Sequence, residues 1–138
     1  SQGSFWVRAL FNESERRSVL IRETSTLYHE RLDVYRLAVE FHVFSMKLVA
    51  RSGIRNIRDQ LERASLSVVL CIAEGTGRTT PKDKKRFYSM ARGSATECAA
   101  LLDILDARKI VPTSRCQQRH SMVIRLVQML TRMTRQKT

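Results

Sequence analysis

The stretch CIAEGTGRTTPKDKKRF, residues 71–87, places Glu74, Gly75, Gly77, Arg78, Lys82, Lys84, Lys85 and Arg86 around a Thr80-Pro81 step. Glycines that let a backbone approach a ligand, followed by cations, are the ingredients of a phosphate-gripping loop. A nucleotide loop needs more: G-x-x-x-x-G-K-[ST] after a strand, or G-x-G-x-x-G in a strand-turn-helix unit. Here Gly75-Thr76-Gly77-Arg78 follows a helical pattern, with neither the third glycine nor the lysine in place. Nucleotide cradling and hydrolysis are therefore not expected. Either the cations and the amides opening the next helix hold a phosphate without specificity, or they simply face water.

Other chemistry is thinner still. Glu74 and Glu97 could form an acid-base pair, yet no nucleophile, ordered histidine or metal set accompanies them. They read better as partly buried partners of Arg78 and Arg86 in structural salt bridges. His29, His42 and His120 are scattered, and His42 is assigned to a helix surface or interface. Cys116 and His120 lie four apart, but two ligands do not close a zinc site, so neither metal nor cofactor is expected. The three cysteines, Cys71, Cys98 and Cys116, are odd in number and far apart, which implies no disulfide framework and fits a reducing cytoplasm. The chain reads as no enzyme.

Charge says more. Net charge is +12 over 138 residues, from 25 Lys and Arg against 13 Asp and Glu. Residues 110–138 contain no acid, and carry Arg125, Arg132 and Arg135 among their cations. Such a bias argues for polyanion attraction and solubility, and says nothing of fold. No run approaches the roughly 20 apolar residues of a membrane span. ERRSVLIRE, residues 15–23, has the look of a twin-arginine signal, but Arg22 and Glu23 end its apolar run too early.

The elements that must position these groups are helical. From Asp33, an expected N-cap, Leu37, Phe41, Phe44 and Leu48 recur at helical spacing and form a core stripe over 33–50. Tyr35, Val39, Val43, Met46 and Val49 make a second apolar face, which asks for a further partner. A second helix over 54–74 becomes apolar all round in LSVVLCIA and is expected to be buried on nearly every side, with Gly75 as the left-handed residue that ends it. Thr80-Pro81-x-Asp83 opens a third helix, with Thr as N-cap and Pro at N1. Its expected core face holds Phe87, Met90, Ala91, Ser94, Cys98, Leu101, Leu102 and Leu105, and mid-helix Gly93 implies a close helix approach. After Pro112 a helix over 114–134 turns Met122, Val123, Leu126, Met129, Leu130 and Met133 inward and its arginines outward. One all-α domain follows: an antiparallel up-and-down four-helix bundle over 31–138, behind an arm over 1–30 that is partly ordered or derived from an expression tag.

LDVYRLAVEF, ASLSVVLCIAEGTGR and RFYSMARGSATE, together spanning about residues 32–112, resemble the bacterial four-helix-bundle family named for proteins encoded in intervening sequences of 23S ribosomal RNA. The specific blocks are Ile72-Ala73-Glu74-Gly75-x-Gly77-Arg78 and Arg86-Phe87-x-x-x-Ala91-x-Gly93-Ser94-x-x-Glu97. The resemblance implies a homopentameric ring with no established enzymatic activity. Similar accessory proteins of diversity-generating retroelements imply RNA or DNA and a reverse transcriptase as partners. Glu74, Gly75, Gly77, Arg78, Arg86, Gly93, Ser94 and Glu97 match the motif, while Val69 and Cys71 stand where members often carry Pro and Asn. The reading is a non-catalytic, basic homo-oligomer that binds nucleic acid. Its candidate contacts are Arg78, Lys82, Lys84, Lys85, Arg86, Arg125, Arg132 and Arg135, and its candidate interface is Tyr35, Val39, Val43, Met46 and Gly93. The alternative is a protein-interaction scaffold whose charge serves solubility.

Overall fold

The computed structural model describes residues 26–50 and 54–135, with side chains from residue 31 onward, so the expected arm lies outside the described residues as far as residue 25. Four helices follow: α1 (Thr26–Val49), α2 (Arg55–Gly77), α3 (Pro81–Ala107) and α4 (Thr113–Arg135). Among the described residues there is no strand. Each helix packs on its neighbour in sequence, and α1 closes the bundle against α4. No helix among the described residues is long and apolar enough to cross a membrane.

Local chemistry accounts for most of the boundaries. The Thr80 hydroxyl accepts the Asp83 amide at 3.2 Å and Pro81 takes the first helical position, as the sequence predicts. At its other end α3 closes through two bonds, Lys109 N–H to Asp106 O and Ile110 N–H to Leu105 O, each 3.0 Å. This is a Schellman turn, and it forces Lys109 to φ 54, where glycine is the usual occupant. Thr113 then donates to the Asp106 carboxylate at 2.7 Å and ties the start of α4 back to α3.

Two expected boundaries change. Asp33 is no N-cap, because α1 begins at Thr26 and carries it in its interior. Gly75 ends nothing either: it is buried inside α2, which runs on to Gly77. A Cβ at Gly75 would stand 2.7 Å from Tyr88 Cε1 and 3.1 Å from Phe87 Cβ. The glycine is there for close approach between α2 and α3, not for a left-handed turn.

The core also turns relative to expectation. On α1 the buried stripe is Val34, Ala38, Phe41, Ser45 and Leu48, with Val49 beside it, while Phe44 is 39% exposed. On α3 it is Tyr88, Ala91, Ala95, Cys98, Leu102 and Leu105, while Met90 is 49% exposed. Small residues at the seams let the helices approach, so Ala38, Ser45, Ala91 and Ala95 turn inward and bulkier neighbours are left outside. Leu66 and Leu70 stand 41% and 54% exposed, against the expectation that the end of α2 is buried all round. Among the described residues α2 packs mainly on α1 and α3, which leave that face uncovered. On α4 the expectation holds, with Val123, Leu126, Met129, Leu130 and Met133 buried and Met122 half-buried.

Three substitutions test these features by thermal or urea unfolding. Gly75→Ala lowers stability by about 1–3 kcal/mol through overpacking, while Gly77→Ala, with nothing within 4 Å of its added Cβ, leaves it unchanged or slightly higher. Lys109→Gly raises stability by about 0.5–1 kcal/mol by relieving the positive φ.

Candidate nucleic-acid interface

The corner between α2 and α3 uses its cations unequally. Lys84 reaches back across it, its Nζ donating to Thr76 O at 3.1 Å and Gly75 O at 3.5 Å. The last carbonyls of a helix have no intrahelical partner and carry its negative dipole end, so this ammonium caps α2. The expectation that Lys84 belongs to the ligand-facing surface is revised accordingly. Arg78 lies 3.2 Å from Glu74 across one helical turn, and Arg86 lies 3.8 Å from Asp83. Both guanidinium groups also stack on Phe87, each with its central carbon 4.7 Å from the ring centroid. Lys82 is exposed and Lys85 half-buried.

The two motif acids are not partly buried. Glu74 is exposed in its pair with Arg78, a type of surface contact worth little to stability, and Glu97 stands exposed on α3. Ser94 is the motif residue with a clear structural part, its hydroxyl 2.9 Å from Ser67 Oγ across the α2–α3 seam. Gly93 is exposed with nothing within 4 Å of an added Cβ, so none of the described helices accounts for it. Of the candidate interface residues on α1, Tyr35 and Met46 lean on the chain's own core, Val39 is half-buried, and Val43 is 42% exposed.

The α4 arginines are arranged differently. Arg125, Arg132 and Arg135 are all exposed and line one open hollow of about 640 Å³ with Gln128, Thr131 and, from α1, Asp33. Asp33 is the one acid in that lining, because α4 carries none of its own. The hollow and the corner are connected through α1. Two residues before Asp33, Arg31 hydrogen-bonds the Tyr88 hydroxyl, and Tyr88 packs on Gly75.

The remaining reactive groups are placed in structural roles. His42 is half-buried, with Nδ1 2.7 Å from Ser65 Oγ, and so joins α1 to α2 rather than facing outward. His120 Nε2 lies 3.2 Å from Asp103 and joins α4 to α3. Burial, reinforced by the Glu97 charge, pushes the Cys98 thiol up to about 12, and burial with Asp106 raises that of Cys116. Both shifts suppress the thiolate that nucleophilic chemistry requires. No group of three or more candidate metal ligands occurs among the described residues.

Lys84 was hidden from sequence reasoning, since a capping lysine and a surface lysine look alike in a basic run. Lys84→Met should cost about 1 kcal/mol on unfolding, whereas Lys82→Gln changes stability by less than about 0.5 kcal/mol. Equal, negligible effects would remove the capping role.

The model of the family described as 23S rRNA-intervening sequence protein matches residues 30–132 of the chain. Among solved structures, a Bacteroides thetaiotaomicron protein of unknown function from the S23 ribosomal protein family is similar in fold. The likeness has a TM-score of 0.72 at 16% identity, covering 78% of this chain and 99% of that one. No functionally curated protein matches the chain.

Proposed function

The chain belongs to the family of 23S rRNA-intervening sequence proteins, and from that premise we propose that it is a non-catalytic, basic homo-oligomer that binds nucleic acid through charge and shape. The observation that carries this reading is the α4 surface, where Arg125, Arg132 and Arg135 stand open to solvent, with Asp33 the acid beside them among the described residues. Guanidinium groups in that state suit phosphate, and phosphate contacts position a polyanion without reading its sequence. The partner is RNA or DNA, a nucleic-acid enzyme such as a reverse transcriptase fits alongside it, and the setting is the cytoplasm.

The proposed assembly is an antiparallel up-and-down bundle repeated in a ring, a pentamer by family likeness. Opposed pairings along α2 and α3, Ser67 with Ser94 and Gly75 with Tyr88, support the antiparallel course. Exposed apolar side chains on two unlike faces support the ring: Val43, Leu66 and Leu70 on α1 and α2, and Met90 and Ile104 on α3. Unlike faces on one chain favour head-to-tail contact, which closes when the rotation permits. Gly93 lies between Met90 and Ile104 along α3, with open space for another chain.

Two experiments test the reading. Log affinity for nucleic acid should fall linearly with log salt, and changing Arg125, Arg132 and Arg135 together to Gln should flatten the slope by up to about 0.9 for each duplex phosphate that is no longer neutralised. If the protein retards neither RNA, DNA nor hybrid at low salt, the scaffold reading takes over. In light scattering, Val43→Glu or Gly93→Leu should release smaller species that remain helical; a wild-type monomer at micromolar concentration would remove the ring.

A further inference from the structure

We propose that the seam between α1 and α4 is a track for single-stranded nucleic acid, with Phe44 as the side chain on which a base stacks. This rests on the nucleic-acid reading above and narrows it to a class of strand.

Phe44 lies off the buried stripe of α1 and is 39% exposed. Lys47 Nζ, from α1, and Arg119 Cζ, from α4, each lie 5.8 Å from its ring centroid. Both cations lie over the ring, but at a distance near the outer limit of about 6 Å for a cation held on a ring, so each is weakly held and can give way to a base. Phe87 makes the contrast, since it is half-buried with Arg78 and Arg86 both at 4.7 Å. Phe87 is held closely by its cations, and Phe44 more loosely by its own.

Arg119 is incompletely satisfied within the chain. One terminal nitrogen donates to Gln118 Oε1 at 2.9 Å, while the buried Nε finds no partner among the described residues. Further along α4, Arg125, Arg132 and Arg135 line the open hollow beside Asp33, Arg135 lying roughly 24 Å beyond Arg119 along the axis at 1.5 Å per residue. On α1, Asp33 and Glu40 are exposed acids.

A charged groove that follows the backbone, joined to an aromatic that takes a base, is the combination by which proteins hold single strands. The two halves discriminate differently. Arginines engage phosphates of any strand, but a ring gains a base only when that base is unstacked, as in a single strand and not in a duplex. The acid-free course of α4 excludes a basic peptide as the preferred occupant.

Fluorescence anisotropy at low salt separates the two terms, using labelled oligouridylate of roughly 12 nucleotides, within the usual site size of such grooves, and an RNA duplex of the same length. Phe44→Leu should lower affinity for the oligouridylate roughly tenfold and leave the duplex unaffected, Phe44→Tyr should restore it, and Arg125→Gln should weaken both. Circular dichroism confirms that each variant folds. Unchanged oligouridylate binding in Phe44→Leu overturns the track, as does an equal loss for both probes, or a change in light-scattering mass with no change in affinity. Wild-type protein that binds only duplex also overturns it and leaves the broader reading standing; protein that binds neither probe takes both down.

Discussion

The contact on which the rest depends is the Tyr88 ring against the bare backbone of Gly75. Without a side chain at Gly75, α2 and α3 close until an added Cβ would stand 2.7 Å from the ring. That closeness sets the corner, because it brings the α2 carbonyls within reach of Lys84. It also places the Tyr88 hydroxyl beside Thr76 and Arg31, so that α1, α2 and α3 meet on one phenol. Burial raises the pKa of that phenol, with Thr76 and Arg31 acting in the opposite direction, so it stays neutral and serves as a hydrogen-bonding pivot.

Charge is handled differently on the two sides of the molecule. At the corner, acids one turn away take up Arg78 and Arg86, a phenyl ring stacks both, and a helix terminus takes up Lys84. Along α4 no acid of the same helix competes for the arginines. A run of cations in sequence therefore overstates the corner as a ligand surface, and scattered arginines understate α4. Free positive surface depends on which neighbours each cation has already engaged.

Exposed apolar side chains follow a logic of their own. Leu66 and Leu70 on α2 and Met90 and Ile104 on α3 are large apolar side chains left exposed. Each arises from the same cause, a helix with apolar residues on more faces than its two neighbours can cover. The family match agrees with the fold and leaves the function open, because the structural relative is itself of unknown function.

What the sequence determined by itself is the set of features that local chemistry dictates. Thr80-Pro81-x-Asp83 caps α3 whatever surrounds it, Pro112 precedes α4, and the one-sided pattern of α4 allows a single burial phase. The all-α class and the exposed arginines of α4 follow from the same periodicity. Tertiary structure decided what periodicity leaves degenerate. On α1 and α3 apolar residues occupy more than one stripe, so spacing alone could not tell that Ala38, Ser45, Ala91 and Ala95 face inward while Phe44 and Met90 face out. Gly75 could turn a chain or admit a ring, and only the position of Tyr88 selects the second. Lys84 finds its partners eight and nine residues away across a corner, a distance that no helical spacing encodes.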